Sequence, residues 1–189
     1  MNDVLTKEAL ESLAGPVSGE SLDKLEAYSA LIRRASARVN VVSRRTLDSV
    51  EEHLLDSAAL LRFVDVSEQT FGDLGSGGGL PGVVVAILRE RTRVVLVEAR
   101  RPKVVFLKQV RRELGLSNVE VVHARLEELT GTLTLDVAAA RALGDAVETL
   151  PPCLALLGQR GRLVLFKGPG WEAERVAAIE VAARNGFQL

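Results

Sequence analysis

The stretch Asp73-Leu74-Gly75-Ser76-Gly77-Gly78-Gly79-Leu80-Pro81-Gly82 decides the fold of this chain. It follows a short β-rich run, Gln69 to Leu74, and precedes an apolar helical pattern near 82 to 90. Glycines at a strand-to-helix turn allow the backbone to approach a ligand closely. A merely tight turn needs one or two glycines, whereas residues 75–82 hold five in eight. The stretch therefore predicts a site for a nucleotide-type cofactor.

Strand and helix patterns alternate after this loop. The predicted strands are Gln69 to Leu74, Arg93 to Val97, Val119 to Val122, Leu135 to Ala139 and Arg162 to Phe166. The predicted helices lie near 82 to 90, 101 to 114, 144 to 157 and 171 to 184. Apolar strands that alternate with helices are typical of a parallel sheet covered on both faces. We therefore expect a doubly wound, mostly parallel α/β domain over residues 66–189, with its ligand at the carboxyl ends of the strands.

The first 65 residues have a helical pattern instead. Behind Ser18 or Ser21 as a cap, apolar residues recur at helical spacing: Leu22, Leu25 and Ile32. A second amphipathic run has similar spacing: Val50, Leu54, Ala58 and Leu61. On a neighbouring face of this second helix, His53 and Asp56 lie three residues apart. Residues 1–65 are thus predicted to form a helical extension that packs on the α/β core or covers it.

The composition is that of an ordinary folded domain. The chain has 189 residues, of which 47% are hydrophobic and 26% charged. It lacks an apolar stretch of the roughly 18 residues that a membrane helix needs, and its first residues lack the layout of a signal peptide. One cysteine, Cys153, and two histidines provide neither an internal disulfide nor a Cys/His zinc site. We therefore expect a cytoplasmic protein with no membrane anchor and no metal.

Basic residues are concentrated in two parts of the chain, although the formal net charge is −1. Residues 33–45 hold five arginines and no acid. Residues 89–112 hold nine basic residues against two acids. Either cluster alone suits a solvated helix face, but two clusters in one small protein favour a polyanionic partner.

The glycine loop alone does not identify the cofactor. Residues 77–82 satisfy the GxGxxG dinucleotide fingerprint, and Glu98 follows about 20 residues later. Glu98 can accept hydrogen bonds from the ribose of NAD or of S-adenosylmethionine, so it does not discriminate between them. Asp73 does, because its carboxylate would repel a pyrophosphate and attract the cationic groups of S-adenosylmethionine. Pro81 inside the fingerprint also favours S-adenosylmethionine over NAD.

Five motifs together resemble a known family. They are His53-Leu54-Leu55-Asp56-Ser57, the 73–82 loop with its Leu-Pro-Gly ending, Lys103-Val104-Val105-Phe106-Leu107, Arg141-Ala142 and Phe166-Lys167-Gly168. Their order and spacing are similar to those of the bacterial 16S ribosomal RNA guanine-N7 methyltransferase G family, also called glucose-inhibited division protein B. The resemblance implies a Rossmann-like, S-adenosylmethionine-dependent methyltransferase. It also implies that the substrate is a guanine in the decoding-region loop of 16S RNA, free or in the small ribosomal subunit, and we expect a monomer.

The resemblance adds to the set of candidate site residues, because it implies that Gly75, Leu80, Leu126, Glu127 and Arg141 line the cofactor site. The full cofactor set is Asp73, Gly75, Gly77, Gly79, Leu80, Glu98, Leu126, Glu127 and Arg141. The candidate RNA contacts are Asn40, Arg44, Arg45, His53, Asp56, Arg100, Arg101, Lys103 and Lys167.

Some of these residues have a structural alternative. Arg141 could instead form a salt bridge with Asp136 or Asp145. His53 and Asp56 could instead serve to pack their helix on the core.

The chain departs from the family pattern at three places. Residues 35–38 lack the usual tryptophan, and Asn40-Val41-Val42 replaces Asn-Leu-Thr. Glu98 stands where aspartate is usual, which keeps the role of the carboxylate. The chain ends at Leu189, so we expect the 66–189 core to lack the last strands of the family.

No catalytic side chain is assigned, because guanine N7 carries an unprotonated lone pair at neutral pH. Its attack on a sulfonium methyl group needs in-line alignment rather than a general base. Three alternatives stay open at this point: a methyltransferase of the same fold with a small-molecule acceptor, an NAD-linked oxidoreductase, and a non-catalytic RNA-binding protein that kept the fold.

Overall fold

The computed structural model describes residues 4–67, 69–141 and 143–188, so Ala142 of the Arg141-Ala142 motif lies outside the described residues. The helices are α1 (Lys7–Ala14), α2 (Gly19–Ser36), α3 (Arg44–Asp48), α4 (Val50–Ala59), α5 (Gly82–Leu88), α6 (Arg101–Glu113), α7 (Ala146–Leu154) and α8 (Trp171–Arg184). The strands are β1 (Thr70–Leu74), β2 (Arg93–Glu98), β3 (Val119–His123), β4 (Leu135–Arg141) and β5 (Leu157–Phe166). Short 3-10 turns cover Leu60–Arg62 and Leu126–Leu129.

The five strands form one parallel sheet in the order β3-β2-β1-β4-β5. The chain proceeds outward from β1 to β3 and then returns to place β4 on the other side of β1. This reversal creates a topological switch point at the carboxyl ends of β1 and β4, where ligands of doubly wound folds bind. The predicted doubly wound α/β fold is therefore confirmed.

Both faces of the sheet are buried, as the apolar strands predict. Phe71 of β1 belongs to the cluster under α5, α6 and the N-terminal helices, whereas Leu74 of the same strand belongs to the cluster under α7. Cys153 is fully buried on the α7 face. Among the described residues, no helix has the length and apolarity needed to cross a membrane, and no group of three potential ligands is placed to hold a metal ion.

The N-terminal helices share a core with the sheet. The Ser18 hydroxyl accepts a hydrogen bond from the Ser21 N–H at 3.0 Å, so Ser18 rather than Ser21 caps α2. Leu25 and Ile32 of α2 are fully buried in the same cluster as the apolar residues of α5. The division of the chain at residue 65 into an extension and a core stays a prediction.

The boundary between α7 and β5 differs from the predicted one. The helical pattern predicts a helix near 144 to 157, but α7 ends at Leu154 and β5 begins at Leu157. Leu157 lies opposite Leu135 of β4, and the register then shifts, so that Arg162 lies opposite Val137. Pairing with β4 therefore overrides the local helical pattern and extends β5 toward its N-terminus.

Candidate active site

The loop between β1 and α5 is held tightly against its neighbours. Gly79 has a φ of +96°, and a Cβ atom there would lie 2.6 Å from Val83 and 2.8 Å from the Tyr28 hydroxyl. Gly75 has a φ of +73°, and a Cβ atom there would lie 2.9 Å from Leu143. Both positions need glycine, because the left-handed backbone and the close contacts each disfavour a side chain.

Tyr28 of α2 braces this loop from the side of the N-terminal helices. Its hydroxyl, fully buried, donates a hydrogen bond to the Gly78 carbonyl at 2.6 Å. Burial raises the pKa of Tyr28 well above its ordinary value, so the hydroxyl remains a donor. Sequence reasoning missed this contact. The sequence signal that could have predicted it is a tyrosine on the apolar face of a helix, since a buried phenol hydroxyl usually has a hydrogen-bond partner.

Asp73, the last residue but one of β1, has a buried carboxylate. Its Oδ2 accepts a hydrogen bond from the Gly82 N–H at 2.9 Å, whereas Oδ1 has no partner among the described residues. Burial raises the pKa of Asp73 to about 7. An unpaired buried carboxylate oxygen is costly unless a cation or a donor binds it. The Asp73 carboxylate therefore fits the amino-acid end of S-adenosylmethionine.

Glu98 at the end of β2 connects two loops. Its Oε2 accepts a hydrogen bond from the Gly77 N–H at 2.8 Å, and its Oε1 accepts one from the Arg100 N–H at 2.7 Å. Each carboxylate oxygen has a second lone pair with which to accept from a ribose hydroxyl. Glu98 can thus order the glycine loop and hold a ribose at the same time.

Two cavities adjoin at Gly75. The first, of about 530 Å³ and here called the β2-side cavity, is lined by Gly75, Glu98, Leu126, Glu127 and their neighbours. The second, of about 190 Å³ and here called the β4-side cavity, is lined by Gly75, Gly77, Leu80, Lys103, Arg141 and their neighbours. The structure thus brings the predicted cofactor residues together around one groove, except that Asp73 and Gly79 are buried within the loop. Contact of the cofactor with Asp73, Gly79 and the other residues of the set stays a prediction.

Arg141 at the end of β4 reaches across to α4. Its guanidinium donates to His53 Nδ1 and lies 3.5 Å from both Ser57 Oγ and Asp56 Oδ2. It also lies 5.4 Å from the centroid of the Phe166 ring. Burial and the charge of Arg141 lower the pKa of His53, which favours the neutral imidazole that can accept this hydrogen bond.

The alternative partners proposed for Arg141 are wrong. Asp136 accepts a hydrogen bond from the Thr70 N–H at 2.8 Å, and Asp145 caps α7 through the Val147 N–H at 2.8 Å. Instead, His53 and Asp56 anchor α4 to the strand end that lines the β4-side cavity.

The candidate RNA contacts occupy different environments. Exposed positions are held by Asn40, Arg44, Arg45, Arg100 and Arg101. Lys103 lines the β4-side cavity, and Lys167 forms an ion pair with Glu174 at 2.6 Å.

Several other arginines of the two basic clusters form ion pairs with acids of the same chain at the surface. Ion pairs are formed by Arg33 with Glu51 at 2.6 Å, Arg34 with Glu113 at 3.1 Å, and Arg93 with Glu120 at 2.7 Å. Part of each cluster therefore has a structural partner, and the assignment of the exposed members to RNA stays a prediction.

A parallel sheet of this order, with a glycine loop after its central strand and an acid at the end of the next strand, defines a Rossmann-like domain that binds a nucleotide-type cofactor. The fold is similar to that of an S-adenosylmethionine-dependent O-methyltransferase from Thermotoga maritima, with a TM-score of 0.60 and 16% identity over 81% of this chain and 54% of that one. At this identity the likeness concerns the fold alone.

The family follows from sequence comparison. Residues 21–188 match the model of the GidB family, described as rRNA small subunit methyltransferase G. Ribosomal RNA small subunit methyltransferase G of Rhodospirillum centenum is 40% identical over 175 residues, which are 92% of this chain and 77% of the relative. The protein of the same name from Acidiphilium cryptum is 39% identical over 178 residues, which are 93% of this chain and 80% of the relative. The chain belongs to this family.

The chain is therefore an S-adenosylmethionine-dependent methyltransferase that acts on ribosomal RNA. The resemblance drawn from the five motifs is confirmed, as is the choice of S-adenosylmethionine over NAD. The alternative of an NAD-linked oxidoreductase is wrong.

Proposed function

We propose that this chain transfers a methyl group to N7 of a guanine in 16S RNA. The groove formed by the two adjoining cavities carries the proposal, because it lies at the carboxyl ends of β1, β2 and β4 beside Arg141 and Lys103. When bound, S-adenosylmethionine supplies an electrophilic methyl group on its sulfonium. The chain's task is then to align the guanine and to exclude water, since N7 needs no general base.

The proposal assigns a part of the cofactor to each side of the groove. Asp73 and the backbone of residues 75–79 hold the methionine end, and Glu98 holds the ribose. Leu80, Leu126 and Glu127 surround the adenine. Two observations support these roles. Oδ1 of Asp73 is buried and has no hydrogen-bond partner among the described residues, and the Glu98 carboxylate accepts two hydrogen bonds from backbone N–H groups.

RNA capture is assigned to the exposed basic residues near the groove. Arg44 and Arg45 begin α3, and Arg100 and Arg101 precede and begin α6. Their exposure suits contacts with phosphates, which carry affinity without reading sequence. The chain is proposed to act as a monomer. The proposed place of action is the cytoplasm, on free 16S RNA or on the assembled small subunit.

Titration calorimetry and a methyl-transfer assay test this function. We expect the full chain to bind S-adenosylmethionine and not NAD, and to transfer labelled methyl groups to 16S RNA in small subunits that lack this modification. Nuclease digestion of the product should place the label on N7 of guanine. Binding of the methyl donor with no label in 16S RNA would contradict the proposed substrate, and label on another base would contradict the proposed position.

A further inference from the structure

A third cavity lies outside the cofactor groove, between the ends of β4 and β5 and the first turns of α7 and α8. It has a volume of about 380 Å³ and is here called the α8 cavity. Its lining includes two aromatic rings, Phe166 and Trp171, and one pair of opposite charges, Lys167 and Glu174. Its volume is within the range of small-ligand sites, and its lining combines apolar walls with several polar groups.

The α8 cavity is next to the groove that holds the cofactor. Leu143 and Thr149 line both the α8 cavity and the β2-side cavity. Leu143 also packs against Gly75 of the glycine loop. On the other side, the Phe166 ring lies under Arg141, which lines the β4-side cavity. The α8 cavity therefore adjoins the groove at Leu143 and Thr149 and borders it at Arg141.

Lys167 and Glu174 each keep one hydrogen-bonding position that a ligand could use. Glu174 uses Oε2 to accept from Lys167 Nζ at 2.6 Å and from the Ala146 N–H at 3.0 Å. These two donors lower the pKa of Glu174, so the carboxylate stays ionised. Lys167 donates to Glu174 and to the Gly144 carbonyl at 3.2 Å. Within the described part of the chain, Glu174 Oε1 and one ammonium proton of Lys167 have no hydrogen-bond partner.

We propose that the α8 cavity receives the target guanine, with Glu174 and Lys167 on its Watson–Crick edge and Trp171 against its face. This inference rests on the proposed function and names the site at which that function selects its base. The guanine edge presents the N1–H and N2–H donors beside the O6 acceptor. Oε1 of Glu174 accepts from the two donors, and the remaining proton of Lys167 is donated to O6. The Lys167–Glu174 ion pair does not need to break.

The same arrangement selects against adenine. Adenine presents an acceptor at N1, which would face the Glu174 carboxylate, and a donor at N6, which would face the Lys167 ammonium. A flipped base read on this edge leaves N7, which lies on the neighbouring Hoogsteen edge beside O6, free of hydrogen bonds. Recognition of guanine and access to its N7 are therefore compatible in one orientation.

The Glu174→Gln variant of the full chain tests the proposal. We expect the rate of N7 methylation of small subunits to fall about 10- to 100-fold, because a charged hydrogen-bond acceptor is lost. The affinity for S-adenosylmethionine, measured by calorimetry, should stay within twofold. Glu180→Gln on the same helix is the matched control and should methylate like the unaltered chain, since the ion pair of Glu180 in the described part of the chain is with the exposed Arg184 at 3.4 Å. A Glu174→Gln rate within threefold of the control would overturn the proposal.

Trp171 provides a second test if Glu174→Gln folds poorly. Trp171→Phe keeps an aromatic ring, so its methylation rate should stay within about threefold of that of the unaltered chain. Trp171→Ala removes the stacking, so its methylation rate should fall about 5- to 100-fold. Equal losses in both variants, or none in either, would overturn the role of the ring.

The single tryptophan of the chain is Trp171, so its fluorescence reports on this cavity directly. Guanosine 5′-monophosphate should quench it saturably, and adenosine 5′-monophosphate should quench it only in linear proportion to concentration. Equal quenching curves for the two nucleotides would contradict guanine selection at this site.

These measurements separate the two proposals. If the unaltered chain methylates guanine N7 but Glu174→Gln does so equally well, the function stands and the cavity assignment fails. If the unaltered chain places the methyl group on another base, the proposed function fails and the guanine assignment fails with it.

Discussion

The loop of residues 73–82 and the exposed basic surface of residues 44–45 and 100–101 are built in opposite ways. The loop is buried and held by backbone hydrogen bonds to Tyr28, Asp73 and Glu98. The basic surface consists of long, exposed side chains on helix ends. The proposed cofactor side therefore depends on backbone geometry, and the proposed RNA side on charge. We expect single substitutions in the loop to have large effects and those on the basic surface to have graded ones.

The largest effect is expected from Gly77→Val. Gly77 has a φ of +56° and lines the β4-side cavity, so a β-branched side chain there strains the backbone and fills the groove. We expect the affinity for S-adenosylmethionine, measured by calorimetry, to fall at least about 100-fold. Gly131→Val is the control, because Gly131 also has a positive φ, +77°, but apart from its chain neighbours no atom of the described residues lies within 4 Å of a Cβ placed there. If the two variants bound the cofactor equally well, the loop would not be the cofactor site.

The next effect concerns the charge of Asp73. Asp73→Asn should weaken S-adenosylmethionine binding by about 10- to 100-fold, since the partner of a cationic group is lost. Binding to the unaltered chain should strengthen as the pH rises through about 7, where Asp73 ionises, and the asparagine variant should lack this rise. Calorimetry between pH 6 and 8 measures both, and a parallel pH dependence in the two proteins would exclude Asp73 as the titrating group.

Asp73 also predicts a pH dependence of stability. Its pKa is raised from 3.8 to about 7 in the folded chain, so the folded state binds more protons than the unfolded state between these values. The cofactor-free protein should therefore lose stability as the pH rises from about 4 to about 7. Urea unfolding of Asp73→Asn should show a smaller loss over this range. An equal loss of stability in both proteins would mean that titratable groups other than Asp73 cause the pH dependence.

A graded effect is expected on the basic surface. The double variant Arg44→Glu/Arg45→Glu should weaken RNA methylation by about 10-fold or more at low salt and should reduce the salt dependence of RNA binding. Cofactor affinity should not change. The double variant Lys7→Glu/Arg184→Glu alters the net charge by the same amount at exposed ion pairs elsewhere and is the control. Equal losses of RNA methylation in the two double variants would mean that Arg44 and Arg45 act only through the net charge of the chain.

The smallest effect is expected from Asp56→Asn. Asp56 is 64% exposed and lies 3.5 Å from the Arg141 guanidinium, so the pair should contribute less than about 1 kcal/mol to stability. Methylation should fall less than about fivefold. His53→Ala removes the closer contact of Arg141 and should have the larger effect of the two. The reverse order would mean that the Asp56 charge, rather than the position of Arg141, is what the reaction uses.

The same contrast explains what the sequence could predict. The glycine loop, the acids at the ends of β1 and β2, and the apolar strands are local patterns, and each leads directly to its place in the fold. The start of β5 at Leu157 could not be predicted, because pairing with Leu135 decides it rather than the helical pattern of the segment.

Long-range contacts between side chains were also beyond the local pattern. The brace from Tyr28 to Gly78 spans 50 residues, and the contact of His53 with Arg141 spans 88. The role proposed for Glu174 has no signal in the sequence, since a lone acid on a helix is uninformative until the fold places it beside Lys167.

The hydrogen bond from Tyr28 to Gly78 limits how this enzyme can be re-engineered. Exchange of the N-terminal helices with those of another methyltransferase would be an obvious way to retarget the catalytic domain to a new RNA. In this chain, such a graft would leave the Gly78 carbonyl without its donor unless the incoming helix carries a hydroxyl at the same position. The N-terminal segment and the glycine loop are therefore one inherited unit, and a chimera must take both from the same parent.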